Sequence, residues 1–559
     1  MSEHGIGPGC PPPVRGTGRS VRRWAQHRYA RGRSRGAPGG AALVAGLLAL
    51  LVAAGVTPSS AAPSDRGPGS GGPARFVPGP CPERPEPVPG RCGFLEVPEN
   101  READGDHGAP GDHDRRGRTI RLAVAIIPAA SAKPAPDPVV FMEGGPGGDA
   151  FGAIPFLVDS GVNRDRELIV MAQRGTLHSQ PSLACPEIDR FDAEAVGLPH
   201  DAPSTGRLLV RAATECRDRL TADGIELSAY NTTENAADFA DLRTALGVKH
   251  WNVYGYSYGT ELALTYLRLH PQGIRSVAID SVVPPQVVSL PWTWDSAREG
   301  IGAIFAACEA QPRCKERYPD LPRTLTEQVR RLEAHPLTLT VPPPGGGDPV
   351  KVVLDGGALV NLLVADGSAV PSVDVPAALD ELAHGNPERL ARARAAGATP
   401  SNGEIAHGLT QSVACAEWVP GFSEADLLKA GRRAFPGWPD TVLAQAPQLP
   451  FEHDVCRAWN VPDRTAVQRV ATYSMVPALV VSGTFDAKTG ASWGPYTART
   501  LTRSTTVLIP GIGHFVVPQS PCAASVLTSF LDHPTAPDTA CVAGLAPKPF
   551  TITPEPETA

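Results

Sequence analysis

Three residues that lie far apart in the chain, Ser257, Asp486 and His514, are of the types that carry out nucleophilic acyl transfer. A serine hydroxyl at its ordinary pKa is a poor nucleophile and needs a base beside it. Histidine supplies the base, and a carboxylate holds that histidine in the tautomer that accepts the serine proton. We therefore expect Ser257 to be the nucleophile, His514 the base and Asp486 its orienting acid. Taken singly, Ser257 is equally well a turn serine, His514 a core histidine and Asp486 a surface aspartate.

The surroundings of Ser257 strengthen this assignment. A Gly-x-Ser-x-Gly pattern alone is weak in a chain with 57 glycines, but here "GYSYG" follows an apolar strand and precedes an amphipathic helix. That is the arrangement of a nucleophile elbow, which lifts the serine oxygen to a helix N-terminus. The Tyr258 N–H is then one oxyanion donor. The glycine loop "EGGPGG" after another strand supplies a second, for which we choose Gly144, with Gly145 beside it. The alternative for that loop is a plain glycine turn.

The elements that must position these residues alternate between strands and helices. Helices are predicted at 231–247, with Thr233 as N-cap, and at 258–270. Apolar strands are predicted within 119–129, 137–148, 166–175, 250–257, 274–285, 476–486 and 504–514. This alternation indicates an α/β fold with a mostly parallel sheet and flanking helices. Asp486 and His514 each follow one of its strands, and the chain order serine, aspartate, histidine is that of α/β hydrolases.

Between about 290 and 460 the strand signal stops, and the sequence becomes helical and rich in loops. An insertion there would cap the carboxyl edge of the sheet, where ligands of α/β folds bind. The predicted organisation is a signal peptide, a Pro/Gly-rich approach, the first part of the core, the cap insertion, the C-terminal part of the core and a tail. These divisions are 1–62, 63–90, 91–290, 291–460, 461–545 and 546–559.

The N-terminal segment is typical of a secretory signal. A basic leader precedes the uncharged run Ala41 to Val56, and small residues follow it, so cleavage is expected after Ala62. The alternative, a retained membrane anchor, is disfavoured because 16 residues are short for a span. We therefore predict a secreted, extracellular protein without stable membrane association. The segment holds eight Arg and one Glu, so the rest of the chain carries −14 against −7 for the whole, which disfavours a nucleic-acid partner.

Cysteine usage agrees with export. Ten of the 11 cysteines follow the leader, and an even number in an exported chain indicates disulfides. Sequence alone does not fix their connectivity. Pairing between sequence neighbours would join Cys81 to Cys92, Cys185 to Cys216, Cys308 to Cys314, Cys415 to Cys456, and Cys522 to Cys541.

The chain also resembles a known family, the secreted tripeptidyl aminopeptidases, which are related to proline iminopeptidases. The resemblance runs from about Cys92 to Cys541 and is weakest in the middle insertion. It rests on "GGPGG", "QRGT", "NVYGYSYGTELALTYLRLHPQGIRSVAIDSVVPP", "SGTFDAKTG" and "GIGHFVVPQSPC". It implies an α/β-hydrolase fold with a cap, and release of short peptides, tripeptides in this group, from free N-termini.

Residue by residue, the resemblance assigns the nucleophile to Ser257, the acid to Asp486, the base to His514 and the oxyanion loop to Gly144–Gly145. Two loops depart from the family pattern. The first loop begins with Glu143 where the family often has histidine. The second loop reads "AQRGTL" where the family usually has Asp-x-Arg-Gly-x-Gly, and this leaves the rigidity around its arginine open.

An aminopeptidase must bind an ammonium group, which a carboxylate in a desolvated pocket does best. Glu417 in "SVACAEWVP", which resembles a Cys-x-Asp element of the family, and Glu143 are the candidate substrate-binding residues. Either is equally well a structural carboxylate.

The sequence as a whole predicts a secreted serine exopeptidase that acts on peptides with a free N-terminus and needs no cofactor. The histidines and aspartates of 104–118 are a polar, glycine-rich loop between strands rather than a metal site, so no metal ligands are assigned. A carboxylesterase with the same triad is the nearest alternative, because a fold does not decide a substrate. A non-catalytic binding module on a hydrolase scaffold is the alternative from another class.

Overall fold

The computed structural model of the protein describes residues 74–84, 87–101, 118–287, 290–344, 346–365 and 370–554. The expected signal peptide, 1–62, lies outside the described residues, as does nearly all of the polar loop 104–118. Every residue proposed above for the site lies inside them.

The described strands form a large sheet and a separate hairpin. In chain order they are β1 (Arg75–Gly79), β2 (Arg91–Pro98), β3 (Thr119–Ile127), β4 (Val139–Met142), β5 (Leu168–Met171), β6 (Ser179–Gln180), β7 (Trp251–Tyr256), β8 (Ile274–Asp280), β9 (Leu337–Val341), β10 (Val350–Leu354), β11 (Ala478–Gly483) and β12 (Ser504–Ile509). The large sheet has the order β1-β2-β3-β5-β4-β7-β8-β11-β12, with β6 beside β3. From β5 to β12 neighbouring strands of this sheet are parallel, whereas β1, β2, β3 and β6 pair antiparallel. The prediction of a mostly parallel sheet is confirmed.

Helices cover both faces of this sheet and fill the long connection between β8 and β11. They are α1 (Ile154–Asp159), α2 (Pro186–Ala195), α3 (Pro203–Ala222), α4 (Thr232–Ala245), α5 (Tyr258–Leu269), α6 (Leu290–Glu309), α7 (Pro312–Arg317), α8 (Leu321–Ala334), α9 (Gly356–Val364), α10 (Val375–Ala383), α11 (Glu388–Ala395), α12 (His407–Val413), α13 (Glu424–Ala434), α14 (Asp440–Leu443), α15 (Glu452–Trp459), α16 (Thr465–Gln468), α17 (Trp493–Ala498), α18 (Val516–Gln519) and α19 (Pro521–Asp532). None of the helices in the described part of the chain is long and apolar enough to cross a membrane.

The central strands are buried on both faces, which explains their unbroken apolar sequences. In β4, Val140 and Met142 belong to one hydrophobic cluster, and Val139 and Phe141 belong to another on the opposite face. Successive side chains of a strand point to opposite faces, so both faces of β4 must be apolar.

The insertion has a core of its own, but only in part. Helices α6 to α11, α13 and α14 and the β9–β10 hairpin build a third hydrophobic cluster. Leu409 and Val413 of α12 and Val455 and Trp459 of α15 instead belong to the cluster that covers one face of the large sheet. Helices α12 and α15 of the insertion are therefore packed into the core of the sheet. The predicted domain boundaries at 290 and 460 remain a prediction.

One helix start differs from the prediction. Thr233 was expected to cap α4, but the N-cap is Asn231, whose side chain accepts the Glu234 N–H at 3.0 Å. Thr232 begins the helix instead, and its hydroxyl is engaged elsewhere, as described below.

The ten cysteines form five disulfides between neighbours in sequence, as the export hypothesis favours. They are Cys81–Cys92, Cys185–Cys216, Cys308–Cys314, Cys415–Cys456 and Cys522–Cys541. The pairing between sequence neighbours is confirmed.

Arg174, from the "AQRGTL" loop, is fully buried and holds three parts of the core together. Its Nε and Nη2 donate to the two Asp238 carboxylate oxygens, each at 2.8 Å. Its Nη1 donates to the carbonyl oxygens of Glu99 and Ala229, both at 2.6 Å. The departures of this loop from the family pattern therefore leave the arginine well anchored.

We predict that Arg174→Met lowers the free energy of unfolding by about 3–5 kcal/mol, because it breaks a buried ion pair and leaves two buried carbonyl groups without their hydrogen-bond donor. Chemical denaturation measures this change. Arg323→Met is the control: Arg323 pairs with Glu327 at 2.7 Å, but both side chains are exposed and solvent screens the pair, so its loss should leave the free energy of unfolding nearly unchanged. Equal small effects of the two substitutions would contradict the role of Arg174.

Candidate active site

The three residues expected to do chemistry each follow a parallel strand. Ser257 comes directly after β7, Asp486 follows β11, and His514 follows β12. Since the carboxyl ends of parallel strands meet at one edge of a sheet, the fold delivers all three side chains to the same place.

The three side chains form one chain of hydrogen bonds. His514 Nε2 lies 2.9 Å from Ser257 Oγ, and His514 Nδ1 lies 2.8 Å from Asp486 Oδ2. An ionised carboxylate can only accept, so Nδ1 carries the proton and Nε2 is left to accept the Ser257 hydroxyl proton. Asp486 and His514 are nearly inaccessible, whereas Ser257 is half-buried. This arrangement can generate a serine alkoxide equivalent and take up its proton.

Asp486 is held in its ionised form by its neighbours. Its Oδ1 accepts the backbone N–H groups of Lys488 and Thr489 at 2.9 and 2.8 Å, and its Oδ2 accepts the Thr489 hydroxyl at 2.6 Å. Burial alone would raise the pKa of Asp486, but the charge of His514 and these hydrogen bonds outweigh it and hold the pKa below its usual value. Thr489 was not singled out from the sequence, because a threonine three residues after an aspartate is common in turns and by itself indicates no function.

Ser257 occupies a strained backbone conformation. Its φ of 54° and ψ of −126° lie outside the regions that a residue with a side chain ordinarily adopts. The Ser257 N–H donates to the Asp280 carbonyl oxygen at 3.0 Å, and the Thr260 hydroxyl donates to the Ser257 carbonyl oxygen at 2.7 Å. These bonds hold the turn that places the hydroxyl at the start of α5.

Steric exclusion explains the glycines around Ser257. A Cβ at Gly255 would clash with the Gly259 carbonyl oxygen, and a Cβ at Gly259 would clash with the Met142 carbonyl oxygen. A Cβ at Gly144 would lie 2.8 Å from the Ser257 Cβ. Only glycine fits where β7, α5 and the loop after β4 approach one another.

The oxyanion donors proposed from the sequence lie beside Ser257. Tyr258 begins α5, so its N–H is among the helix-terminal amides without a partner within the helix. Gly144 is in contact range of Ser257, but its N–H donates to the Glu143 carboxylate at 2.8 Å. Gly145 follows with a φ of 115°, a conformation that favours glycine.

The insertion contacts the glycine loop 144–148 directly. The Ala406 N–H donates to the Gly147 carbonyl oxygen at 2.8 Å, and the Thr410 hydroxyl donates to the Pro146 carbonyl oxygen at 2.7 Å. Ile405 also forms an isolated antiparallel bridge with Gly148. The loop that was expected to supply oxyanion donors is therefore held by the start of α12.

Glu417, a predicted amine-binding residue, is 1% exposed and lies in a π-helical turn, Ala414–Trp418. Its two carboxylate oxygens accept the Thr232 N–H at 2.8 Å and the Thr232 hydroxyl at 2.6 Å. The same hydroxyl lies 2.9 Å from the Tyr258 hydroxyl. The structure gives Glu417 partners inside the fold, where it joins the insertion to α4 and α5, and so it offers no support for amine binding by this residue.

Glu261 is a buried carboxyl group that the sequence analysis passed over. Its oxygens accept the Trp418 and Gln468 side-chain N–H groups at 3.1 and 3.0 Å. Burial, and then the charge of Glu417, raise the pKa of Glu261 to about 8. Burial likewise raises the pKa of Glu417 to about 7. Near neutral pH this pair therefore retains protons, and no pattern in the sequence brings positions 261 and 417 together.

Two groups of cysteine and glutamate in the described part of the chain are close enough to suggest a metal site. They comprise Cys185, Glu187 and Cys216, and Cys415, Glu452 and Cys456. The cysteines of each group are joined in a disulfide, so only one carboxylate in each group is left to bind a cation.

Comparison with known proteins agrees with this geometry. A family model described as alpha/beta hydrolase fold matches residues 137–306, and one described as TAP-like protein matches residues 446–542. The matched segments contain all three residues of the hydrogen-bonded chain. The chain has the α/β-hydrolase fold.

Individual relatives show which α/β hydrolases the chain resembles in sequence. The α/β-hydrolase chain is 31% identical over 212 residues to a tripeptidyl aminopeptidase of Streptomyces coelicolor, a match that covers 36% of each chain. It is 29% identical over 208 residues to the serine protease Hip1 of Mycobacterium tuberculosis, covering 35% of this chain and 36% of that one. The matches thus span about a third of these relatives. The resemblance to tripeptidyl aminopeptidases is confirmed.

Among solved structures, a proline iminopeptidase of Mycobacterium smegmatis is 17% identical, with a TM-score of 0.35, and the match covers 74% of this chain and 96% of that one. This likeness adds nothing to the argument about the site.

We predict that Gly259→Ala severely destabilises this α/β-hydrolase or prevents its folding, because the new methyl group would overlap the Met142 carbonyl oxygen. Overpacking of this kind costs about 1–3 kcal/mol or more. The melting temperature measures it. Gly302→Ala, within α6, is the matched control: a Cβ there meets nothing within 4 Å, so it should leave stability unchanged or raise it. Similar melting temperatures for the two variants would contradict the steric explanation.

We also predict that stability falls as pH rises from about 4.5 to about 8. The unfolded chain releases the protons of Glu261 and Glu417 near the ordinary pKa of 4.5, whereas the folded chain holds them to about 8 and 7. Folding is therefore increasingly opposed across this window. Denaturation at several pH values should give a flatter profile for Glu261→Gln/Glu417→Gln. An exposed control, Glu327→Gln, should keep the wild-type slope, and an unchanged slope in the double variant would refute the assignment.

Proposed function

We propose that this protein is a serine hydrolase that acts through an acyl-enzyme formed on Ser257. The observation that carries the proposal is the continuous hydrogen-bonded chain from Ser257 Oγ through His514 to Asp486. A surface aspartate, a core histidine and a turn serine have no reason to line up in this order and at these distances. The alternative of a non-catalytic module lacks support, since each triad position is filled.

The reaction follows from these contacts. His514 Nε2 takes the Ser257 proton as the oxygen attacks the scissile carbonyl carbon, and Asp486 stabilises the imidazolium that forms. The imidazolium then protonates the leaving amine, which departs and leaves the N-terminal fragment esterified to Ser257. Water, activated by His514, hydrolyses that ester. These steps require no metal or organic cofactor.

The negative oxygen of the tetrahedral intermediate needs donors aimed at it. We assign one to the Tyr258 N–H at the start of α5. The other comes from the glycine loop after β4. Because the Gly144 N–H is engaged by the Glu143 carboxylate, we assign that donor to Gly145, with Gly144 contributing once Glu143 moves away.

The proposed substrates are peptides with a free N-terminus, from which the protein releases short peptides, tripeptides by analogy with the tripeptidyl aminopeptidases. A serine peptidase is further supported by the similarity to Hip1. A carboxylesterase with the same triad is the second candidate. Glu143 is the better of the two proposed carboxylates for the substrate amine, because it is only half-buried and lies beside the oxyanion loop.

We further propose that the protein is secreted. The five disulfides support an oxidising compartment, and the basic and apolar leader predicted from the sequence supports export.

Hydrolysis of a chromogenic tripeptide amide tests the proposal, with the peptide N-terminus free and then acetylated. We expect cleavage of the free form alone, and a loss of at least about 1,000-fold in kcat/KM in Ser257→Ala. Ser204→Ala, an exposed serine on α3, should match wild type. Cleavage of simple esters but of neither peptide would favour the esterase, and activity that survives Ser257→Ala would refute the mechanism.

A further inference from the structure

Asp280, the last residue of β8, lies between Ser257 and Asp486 in the order of the sheet and is completely buried. Strand β8 separates β7, which carries Ser257, from β11, which carries Asp486. The Asp280 carbonyl oxygen accepts the Ser257 N–H at 3.0 Å. The backbone of Asp280 therefore holds the strained turn of the nucleophile.

The side chain of Asp280 holds the loop that carries His514. Its Oδ1 accepts the Val516 N–H at 3.0 Å, and its Oδ2 accepts the Val517 N–H at 2.9 Å. The Tyr254 hydroxyl also donates to Oδ2, at 3.2 Å. Both amides belong to the first turn of α18, which begins two residues after His514, so the carboxylate fixes where this loop leaves the site.

Ser281 completes the attachment. Its hydroxyl oxygen accepts the Phe515 N–H at 2.9 Å, and its own N–H donates to the Val481 carbonyl oxygen of β11 at 3.0 Å. Phe515 has a left-handed φ of 63°, and its ring stacks on Tyr256 with centroids 3.9 Å apart. Three consecutive amides after His514 are thus bound by two consecutive residues at the end of β8.

We infer that Asp280 and Ser281 are positioning residues that set the distance between Ser257 Oγ and His514 Nε2. The two reacting residues are far apart in sequence, and each is attached to Asp280 by hydrogen bonds from its own backbone or from the residues beside it. A shift of the His514 loop by a fraction of an ångström changes the 2.9 Å contact that proton transfer depends on. The inference rests on the proposed hydrolase function.

A buried carboxylate here also has an electrostatic consequence. Burial raises the pKa of Asp280 to about 6, and hydrogen bonds from Val517 and Val516 together with the nearby His514 limit the rise. At neutral pH the group is therefore ionised. Its charge favours the imidazolium form of His514 that arises during the reaction.

The substitution Asp280→Asn tests the inference, because it keeps the shape but turns an N–H₂ group toward one of the two amides. We expect kcat to fall about 100-fold with KM within twofold of wild type, since a small misplacement near the chemistry costs about that much. Phosphorylation of Ser257 by diisopropyl fluorophosphate, in which the serine oxygen displaces fluoride from phosphorus, should slow by a similar factor. Ser281→Ala removes the Phe515 acceptor and the donation of the Ser281 hydroxyl to Asp280 Oδ1 at 3.2 Å, but keeps the carboxylate, and should show the same pattern with a smaller loss.

The matched control is Glu452→Gln, an equally buried carboxylate on α15 whose partners lie in the insertion. If the loss in Asp280→Asn only followed a fall in melting temperature, Glu452→Gln would reproduce it, and the inference would be overturned. Rates within twofold of wild type in Asp280→Asn would also overturn it. If that variant fails to fold, Ser281→Ala decides: slowed labelling at an unchanged melting temperature supports the inference, and wild-type labelling overturns it.

This outcome is separable from failure of the proposed function. If Ser257→Ala abolishes hydrolysis while both β8 variants behave as wild type, only the positioning role is wrong. If Ser257→Ala keeps full activity, the proposed function itself fails, whatever the β8 variants do.

Discussion

The structure depends on one steric constraint, the close approach of three backbone segments around Ser257. Gly255, Gly259 and Gly144 leave no room for a Cβ, and their contacts are with carbonyl oxygens of the chain or with Ser257 itself. The approach forces the turn between β7 and α5 to be tight, and the tight turn forces Ser257 out of the ordinary backbone regions. The hydroxyl is thereby raised above the sheet edge and next to the first amide of α5. Packing of the sheet, rather than the serine alone, creates the reactive position.

The insertion between β8 and β11 makes direct hydrogen bonds to the residues proposed for this site. One continuous segment, from Ile405 to Trp418, touches both sides of the oxyanion arrangement. At its start Ala406 and Thr410 bind the glycine loop, and at its end Glu417 binds the Thr232 hydroxyl that meets Tyr258. The disulfide Cys415–Cys456 fastens this segment to α15. The positions of the proposed oxyanion donors therefore depend on residues that are distant in sequence from both the serine and the glycine loop.

The parts of this protein that could be predicted from sequence are those that local patterns of apolar and polar residues determine. Strands β4, β7, β8, β11 and β12 are continuous apolar runs, and a polar residue that follows such a run falls at a common edge, so the meeting of Ser257, Asp486 and His514 could be predicted. The antiparallel strands β1 and β2 have no such signal. Asp280 sits at the end of an apolar run just as Asp486 does, yet its contacts with α18 come from a loop 236 residues away. The partners of Glu417 could not be predicted either, because a lone acidic residue near a tryptophan in sequence says nothing about whether its oxygens face solvent or a helix terminus.

The disulfides close only short stretches of chain: their sequence separations run from 6 to 41 residues. Because each bridge joins neighbours in the order of cysteines, no bridge in the described part of the chain encloses another, and none there links the chain before Ser257 to the chain after His514. The chain is synthesised from its N-terminus, so each pair of cysteines can be oxidised as soon as its second cysteine appears, before the next pair has been made. The disulfides can thus form in the order in which the chain is made, and correct pairing needs no rearrangement after synthesis ends. Ser257 and His514, which we propose to react, are brought together by noncovalent packing alone.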